Sequence, residues 1–260
     1  MLRSLWIAKT GMEGQQTKLD AISNNLANVG TNGYKRSDVV FEDLMYQNLR
    51  SAGAASSDQS QLPTGLQVGL GVRAAATTRN FSQGALQQTG NTLDIAVQGN
   101  GFFQIQMPDG STGYTRDGSF QTDANGQIVN SAGYPLQPGL TIPSGATSVS
   151  IAANGTVQAT LQGQTAPQKL GQIQLASFIN PAGLDPLGGN LYAETSASGT
   201  PNAGTAGSNG LGNLQQGYVE GSNVNVVEEL VGMIATQRAY ELNSKAIQTS
   251  DQMLQRLGQL

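Results

Sequence analysis

The chain has 260 residues and a net charge of −4, with only 12% of residues charged, 34 glycines and neither cysteine nor histidine. So sparse a charge lets many copies lie side by side without large repulsion, and it leaves nothing to neutralise a run of phosphates, which excludes nucleic-acid binding. The missing Cys and His exclude thiolate nucleophiles, disulfides, Cys/His metal sites and imidazole acid–base chemistry.

The first element is a helix over residues 1–29. Leu5, Ala8, Met12, Gln15, Leu19, Ile22, Leu26 and Val29 recur at steps of three and four, a heptad-like seam that only Gln15 interrupts. Its start, Met1-Leu2-Arg3-Ser4-Leu5-Trp6, has no apolar core and no cleavage site, so no secretory signal peptide is expected. The helix is expected to stop at Asn28-Val29-Gly30, with Gly30 as a left-handed cap. Asn48 to Pro63 is polar and of low complexity, and reads as a linker ordered only in context.

From about residue 90 to 195 the pattern is β. Asp109-Gly110, Asp117-Gly118, Asn125-Gly126 and Asn154-Gly155 separate alternating runs such as Phe103-Gln104-Ile105-Gln106-Met107, which predicts antiparallel hairpins. Ser196 to Asn213 again reads as a polar linker. A last helix begins near Val226, capped by Asn223 or Asn225, with Glu228 and Glu229 facing the positive end of its dipole. Met233, Tyr240, Ile247 and Leu254 repeat every seven residues on it, and Leu230 joins their apolar stripe. No stretch approaches the ~18 apolar residues of a membrane-spanning helix. The fold class is therefore α+β: two terminal helices pairing as a coiled-coil-like domain, and a central antiparallel β-rich domain.

Two readings of the helices stay open. They pack on each other as an antiparallel pair within one chain, or they order only against other copies, since the pattern offers neither a third element to cover the rest of its stripe.

Chemical constellations are few. Asp123-Ala124-Asn125-Gly126 begins like a calcium loop, but Tyr134 stands where a bidentate Glu should close it. The glycine-rich pieces lack both Gly-Lys-Ser/Thr and GxGxxG. Asp94, Asp109, Asp117 and Asp123 leave a paired-carboxylate hydrolase as a rival class, with a Ser–Lys dyad as its variant, but three of these Asp residues sit where turns want them. No catalytic residue, cofactor or metal site is expected.

The run Ala21-Ile22-Ser23-Asn24-Asn25-Leu26-Ala27-Asn28-Val29-Gly30-Thr31-Asn32-Gly33-Tyr34-Lys35-Arg36 closely resembles the N-terminal signature of flagellar rod and hook proteins, with Asn25, Asn28, Thr31, Gly33 and Tyr34 in the family's spacing and Gly30 as a departure. Ser222-Asn223-Val224-Asn225 through Glu241, and Asn243-Ser244-Lys245, look like the matching C-terminal signature. Gly99-Asn100-Gly101-Phe102-Phe103 and Tyr114-Thr115-Arg116-Asp117-Gly118 are similar to the family's β-domain. Phe41 to Tyr46, continuing through Leu62-Pro63-Thr64-Gly65, resembles an insertion of the distal-rod members.

The resemblance implies a domain order of 1–35 (N-terminal helix), 36–85 (extended linker or hairpin insertion), 86–200 (central β-rich domain) and 201–260 (return linker and C-terminal helix). It implies a non-enzymatic subunit of the distal rod, a self-assembling, rigid hollow shaft that passes motor torque to the hook; a proximal rod or short hook subunit is the alternative. Subunit contacts are expected at Leu5, Met12, Leu19, Ile22 and Leu26, and at Leu230, Met233, Tyr240, Ile247 and Leu254. Tyr46, Arg50, Leu62 and Pro63 are expected to stiffen the rod. Implied partners are other copies, proximal rod proteins, the hook protein, the surrounding L/P ring bushing and the flagellar type III export apparatus, without nucleic acid or membrane insertion. The implied location is the periplasm-spanning rod of the basal body, reached without a cleaved signal.

Overall fold

The structure, a computed structural model, describes residues 2–51, 55–57, 60–61, 63–164 and 166–258. Two compact units share the chain in alternation: Met1–Ala27, Ser37–Arg79 and Asn225–Leu260 form one, and Asn28–Arg36 with Asn80–Val224 form the other.

In the first unit the three-four spacing becomes helix α1 (Leu2–Ala27). Six strands follow: β1 (Ser37–Asp43), β2 (Gln47–Arg50), β3 (Ala55–Ser57), β4 (Ser60–Gln61), β5 (Leu66–Val68) and β6 (Val72–Arg79). They pair antiparallel in nested order, β1 with β6, β2 with β5 and β3 with β4, so residues 37–79 double back as one long hairpin. The described residues of the polar stretch expected to be a linker supply β3, β4 and the end of β2. Helix α2 (Val226–Leu257) starts at Asn225, whose Oδ1 accepts the Val227 N–H at 3.1 Å, while Glu228 and Glu229 lie in its positive first turn.

The second unit opens with the turn after α1. Thr31 N donates to Asn28 O at 3.1 Å, and the left-handed residue is Gly33 (φ +70°), not Gly30 as the sequence suggests. The strands are β7 (Leu86–Gln88), β8 (Ile95–Gln98), β9 (Phe102–Gln106), β10 (Thr112–Thr115), β11 (Gln121–Thr122), β12 (Ile128–Val129), β13 (Ala146–Ile151) and β14 (Thr156–Leu161). Then come β15 (Gln168–Gln172), β16 (Gln174–Ser177), β17 (Asp185–Gly188), β18 (Leu191–Ala193), β19 (Asn202–Thr205), β20 (Asn213–Gln216) and β21 (Tyr218–Glu220). A six-stranded antiparallel sheet runs β17-β18-β10-β9-β16-β19, beside a β13-β14-β15 meander and the pairs β8–β20 and β7–β21.

Period-two alternation sets the two faces of the large sheet. Phe103 and Ile105 of β9 enter one core with Ile95, Val97, Phe120, Leu136, Ile173 and Leu175. Phe102, one residue earlier, enters the other with Tyr114, Phe178, Leu184 and Tyr192. Edge-to-face ring pairs fill both, Phe103 on Phe120 at 5.1 Å and Tyr114 on Phe178 at 4.8 Å.

The Asx-Gly turns at 109–110, 125–126 and 154–155 each carry a positive-φ glycine, as hairpins require. Gly118 differs. It has no room for a side chain because the Ile95 carbonyl oxygen packs there, while Ile95 N donates to the Gly118 carbonyl at 3.0 Å. Ser196–Asn213, expected to be a linker, instead supplies edge strand β19 and buries Ala206 and Leu211. Its small residues suit an edge strand, and two buried apolar side chains anchor it.

Candidate assembly interface

In the first unit, α1 and α2 lie antiparallel. Ser4 Oγ meets Ser250 Oγ at 3.4 Å, a methyl added at Gly11 would sit 2.9 Å from Asn243 Nδ2, and one at Gly232 would sit 3.6 Å from Ile22 Cδ1. Asn25 Nδ2 reaches Glu229 Oε1 at 3.4 Å. These four meetings step along the two helices in opposite directions, so the pairing forms within one chain. A third element also covers α1: Thr10 Oγ1 accepts from Val72 N at 3.4 Å, and a methyl at Gly14 would press to 3.2 Å from the Phe41 ring. Gly11 lets α2 and Gly14 lets the hairpin approach α1 so closely; their cost in helix propensity is offset by that contact.

Of the residues expected to join subunits, Ile22 is buried on this unit, and Leu5, Met12, Leu19, Leu26, Met233, Ile247 and Leu254 are half-buried. Leu230 and Tyr240 are exposed. A different row is more open: Val227 (69% exposed), Val231 (61%), Ile234 (59%) and Leu242 (69%). Each holds a branched apolar side chain to solvent on a helix whose opposite side is already covered, which is how an unfilled interface looks. Sequence reasoning chose the heptad positions because they repeat most strictly; the open row repeats too, at steps of four, three and eight, and could have been found by asking which apolar positions the first stripe leaves over.

The signature residues divide between the units. Asn25 is buried in the first, where its Nδ2 donates to Ser37 O (2.8 Å) and its Oδ1 accepts from Ser37 N (2.9 Å). In the second unit Thr31 Oγ1 bonds Asn28 Oδ1 at 3.2 Å, Gly33 N donates to Glu220 O at 2.7 Å, and Tyr34 is buried. A side chain at Gly33 would strike the Asp117 backbone at 2.5 Å.

Sequence reasoning missed the group these residues lead to. Lys35 and Glu220 are both fully buried, with Nζ to Oε1 at 2.6 Å, and Arg116 Nη1 reaches the other oxygen at 3.2 Å. Burial pushes the Lys35 ammonium below the ordinary lysine range, against the pull of Glu220. Lys35 and Arg116 stand inside the quoted motifs, but nothing in one sequence says that they share a carboxylate.

On the hairpin Tyr46, Arg50 and Pro63 are exposed, as are Met45, Leu49 and Leu66; Leu62 lies outside the described residues. The four aspartates serve their own turns. Asp109 Oδ1 accepts from Ser111 N and Oγ, Asp117 Oδ1 from Ser119 N, Asp123 Oδ1 from Asn125 N and Gln127 N, and Asp94 Oδ1 from Asn91 Nδ2. Asp109 is held below the usual carboxylate range by the Ser111 hydroxyl and amide. Among the described residues no three acidic side chains converge on a cation site.

Three family models match the chain: "Flagella basal body rod protein" over residues 5–35, "Flagellar hook protein FlgE/F/G D1 domain" over 96–159, and "Flagellar basal body rod FlgEFG protein C-terminal" over 215–260. The chain is 58% identical over 260 residues to the flagellar basal-body rod protein FlgG of Buchnera aphidicola subsp. Acyrthosiphon pisum, covering 100% of both chains. It is 48% identical to that of Caulobacter vibrioides, over 100% of this chain and 99% of the relative, and 42% identical to that of Bacillus subtilis at the same coverage.

Proposed function

Since the chain belongs to the flagellar basal-body rod protein family, we propose that its copies pack through the open row of α2 into the distal part of a rigid hollow helical shaft that passes motor torque to the hook. The protein is a structural rod subunit. The observation that carries the finer reading is the row Val227, Val231, Ile234 and Leu242, left uncovered by a helix pair that is complete on its other side. Burying such a row is worth ~25 cal/mol per Å2 of apolar surface, repeated in every subunit.

In this reading Leu5, Met12, Leu19, Ile22, Leu26, Met233, Ile247 and Leu254 act at one remove, by holding the pair that presents the row. Leu230 borders it directly, whereas Tyr240, though exposed, lies on the heptad side with Met233 and Ile247. Heterologous contacts that do not close extend such a subunit into a filament. The hairpin, with Tyr46, Arg50 and Pro63 exposed, bridges neighbouring copies and stiffens the shaft. No chemical step is involved. The subunit travels through the flagellar type III apparatus and stands in the periplasm-spanning rod between proximal rod proteins and hook protein, inside the ring bushing.

The test is a double substitution, Val231→Asp with Ile234→Asp, in a flagellated cell lacking its own copy. Absent rods beyond the proximal segment, with a purified chain of unchanged helix content, are expected. Rods of normal length would overturn the reading.

A further inference from the structure

Within the β-rich unit, three stretches of chain lie next to its junctions with the other unit: residues 33–36 before Ser37, 80–84 after Arg79, and 219–224 before Asn225. They are tied to one another more densely than any strand end requires. Lys35 Nζ bonds both Glu220 Oε1 (2.6 Å) and the Ser82 carbonyl (2.8 Å). Gly84 N donates to the same Glu220 oxygen at 2.8 Å, and Gly33 N to the Glu220 carbonyl at 2.7 Å. Arg116 fixes the second Glu220 oxygen and anchors it to the sheet through the Gly99 carbonyl (2.7 Å). Asn223 closes the ring: its Oδ1 accepts from Arg36 N at 2.7 Å, its Nδ2 donates to the carbonyls of Asn80 (2.8 Å) and Ser82 (3.2 Å), and Asn80 N donates to Arg36 O at 2.9 Å.

A hydrophobic plug would hold these segments at less desolvation cost, because two cations and a carboxylate lose their water here. What the charged arrangement adds is direction. Every bond made here by Gly33, Lys35, Gly84 and Asn223 spans two different junction segments, and several must break together before any one segment can pull away. We propose that the Lys35–Glu220–Arg116 cluster, with Asn223, is a mechanical tie that makes the junction segments of the β-rich unit yield as one under tension. Its use rests on the rod reading, since a subunit that carries torque is loaded through its chain junctions. Its existence does not, because force on the two ends of the chain enters this unit at Asn28 and Val224, on either side of the Gly33–Glu220 and Lys35–Glu220 bonds.

The full chain, tethered by its two ends and held at constant force, tests this. Lys35→Met should shorten the lifetime of the β-rich unit at least about tenfold, the factor expected from one lost charge-assisted hydrogen bond. Asn223→Ala should shorten it in the same direction, and serves alone if Lys35→Met fails to fold. Leu136→Ala, in the core away from the tie, should lower the urea midpoint while leaving that lifetime nearly unchanged. The idea is overturned if the tie variant that folds keeps the parent lifetime. It is equally overturned if Leu136→Ala shortens the lifetime as much for the same loss of stability. Failure of the α2-row variants to behave as expected in rods would bear on the function alone.

Discussion

Asn25 gives Ser37 two hydrogen bonds, one to each backbone group, and so does for the start of β1 what a neighbouring strand would do. Single side chains elsewhere carry similar duties, and their chemistry can be tested singly. Tyr114 is buried with its hydroxyl donating to Glu194 Oε2 at 3.2 Å, and burial first, then Glu194, raises its pKa to about 12. A raised pKa means that the folded chain keeps a proton the unfolded chain has already lost. Stability from this group is therefore full below pH 10 and drains away between pH 10 and about 12. Urea midpoints measured across that range should fall for the parent chain and fall less steeply for Tyr114→Phe; equal slopes would refute the assignment. Lys35, shifted the other way, acts in both chains alike and cancels in the comparison. At this scale the sequence displayed Asn25, Gly33 and Tyr34 as a motif but hid their partners. Ser37, Glu220 and Asp117 are distant or unremarkable in the chain, and only folding brings them to those atoms.

Among the elements, the helices separate two kinds of apolar residue that periodicity alone lumps together. Ile22 belongs to the inner side, against Gly232, and Val231 to the outer. Ile22→Asp should cost several kcal/mol by burying an unpaired charge, and should reduce the helical circular-dichroism signal of the isolated chain. Val231→Asp should leave that signal within error, because its carboxylate stays in water. If both variants lose helix equally, the division into inner and outer sides is wrong. The cap is a smaller lever: Asn225→Ala should destabilise the helical unit by about 1 kcal/mol, seen as a lower melting temperature of its transition. Both helices and the Asx-Gly hairpins were legible because repeat and turn chemistry are local. Edge strand β19 was not. Asn202-Ala203-Gly204-Thr205 has no apolar alternation, and its strand conformation comes from β16 beside it, from Ser177↔Asn202 to Gln174↔Thr205.

For the molecule as a whole, the alternation of segments between two units makes residues 37–79 a detachable excursion. The base of that excursion, β1 and β6, packs on α1, but β2 and β5 beyond it keep nearly all their side chains exposed and gain little from their own packing. Deleting residues 48–63 should leave the melting of the β-rich unit unchanged while softening the rods, measured as larger bending in electron micrographs; unchanged stiffness would remove the hairpin from that role. The same alternation sets a schedule. Ser4 waits for Ser250 and Asn25 for Glu229, so α1 has no helical partner until nearly the whole chain has emerged, whichever opening it emerges from N-terminus first. The β-rich unit, complete by Val224, can fold before then. Closing the helix pair therefore has to wait for the end of the chain, and the exposed row on α2 takes its place only after every other segment has emerged.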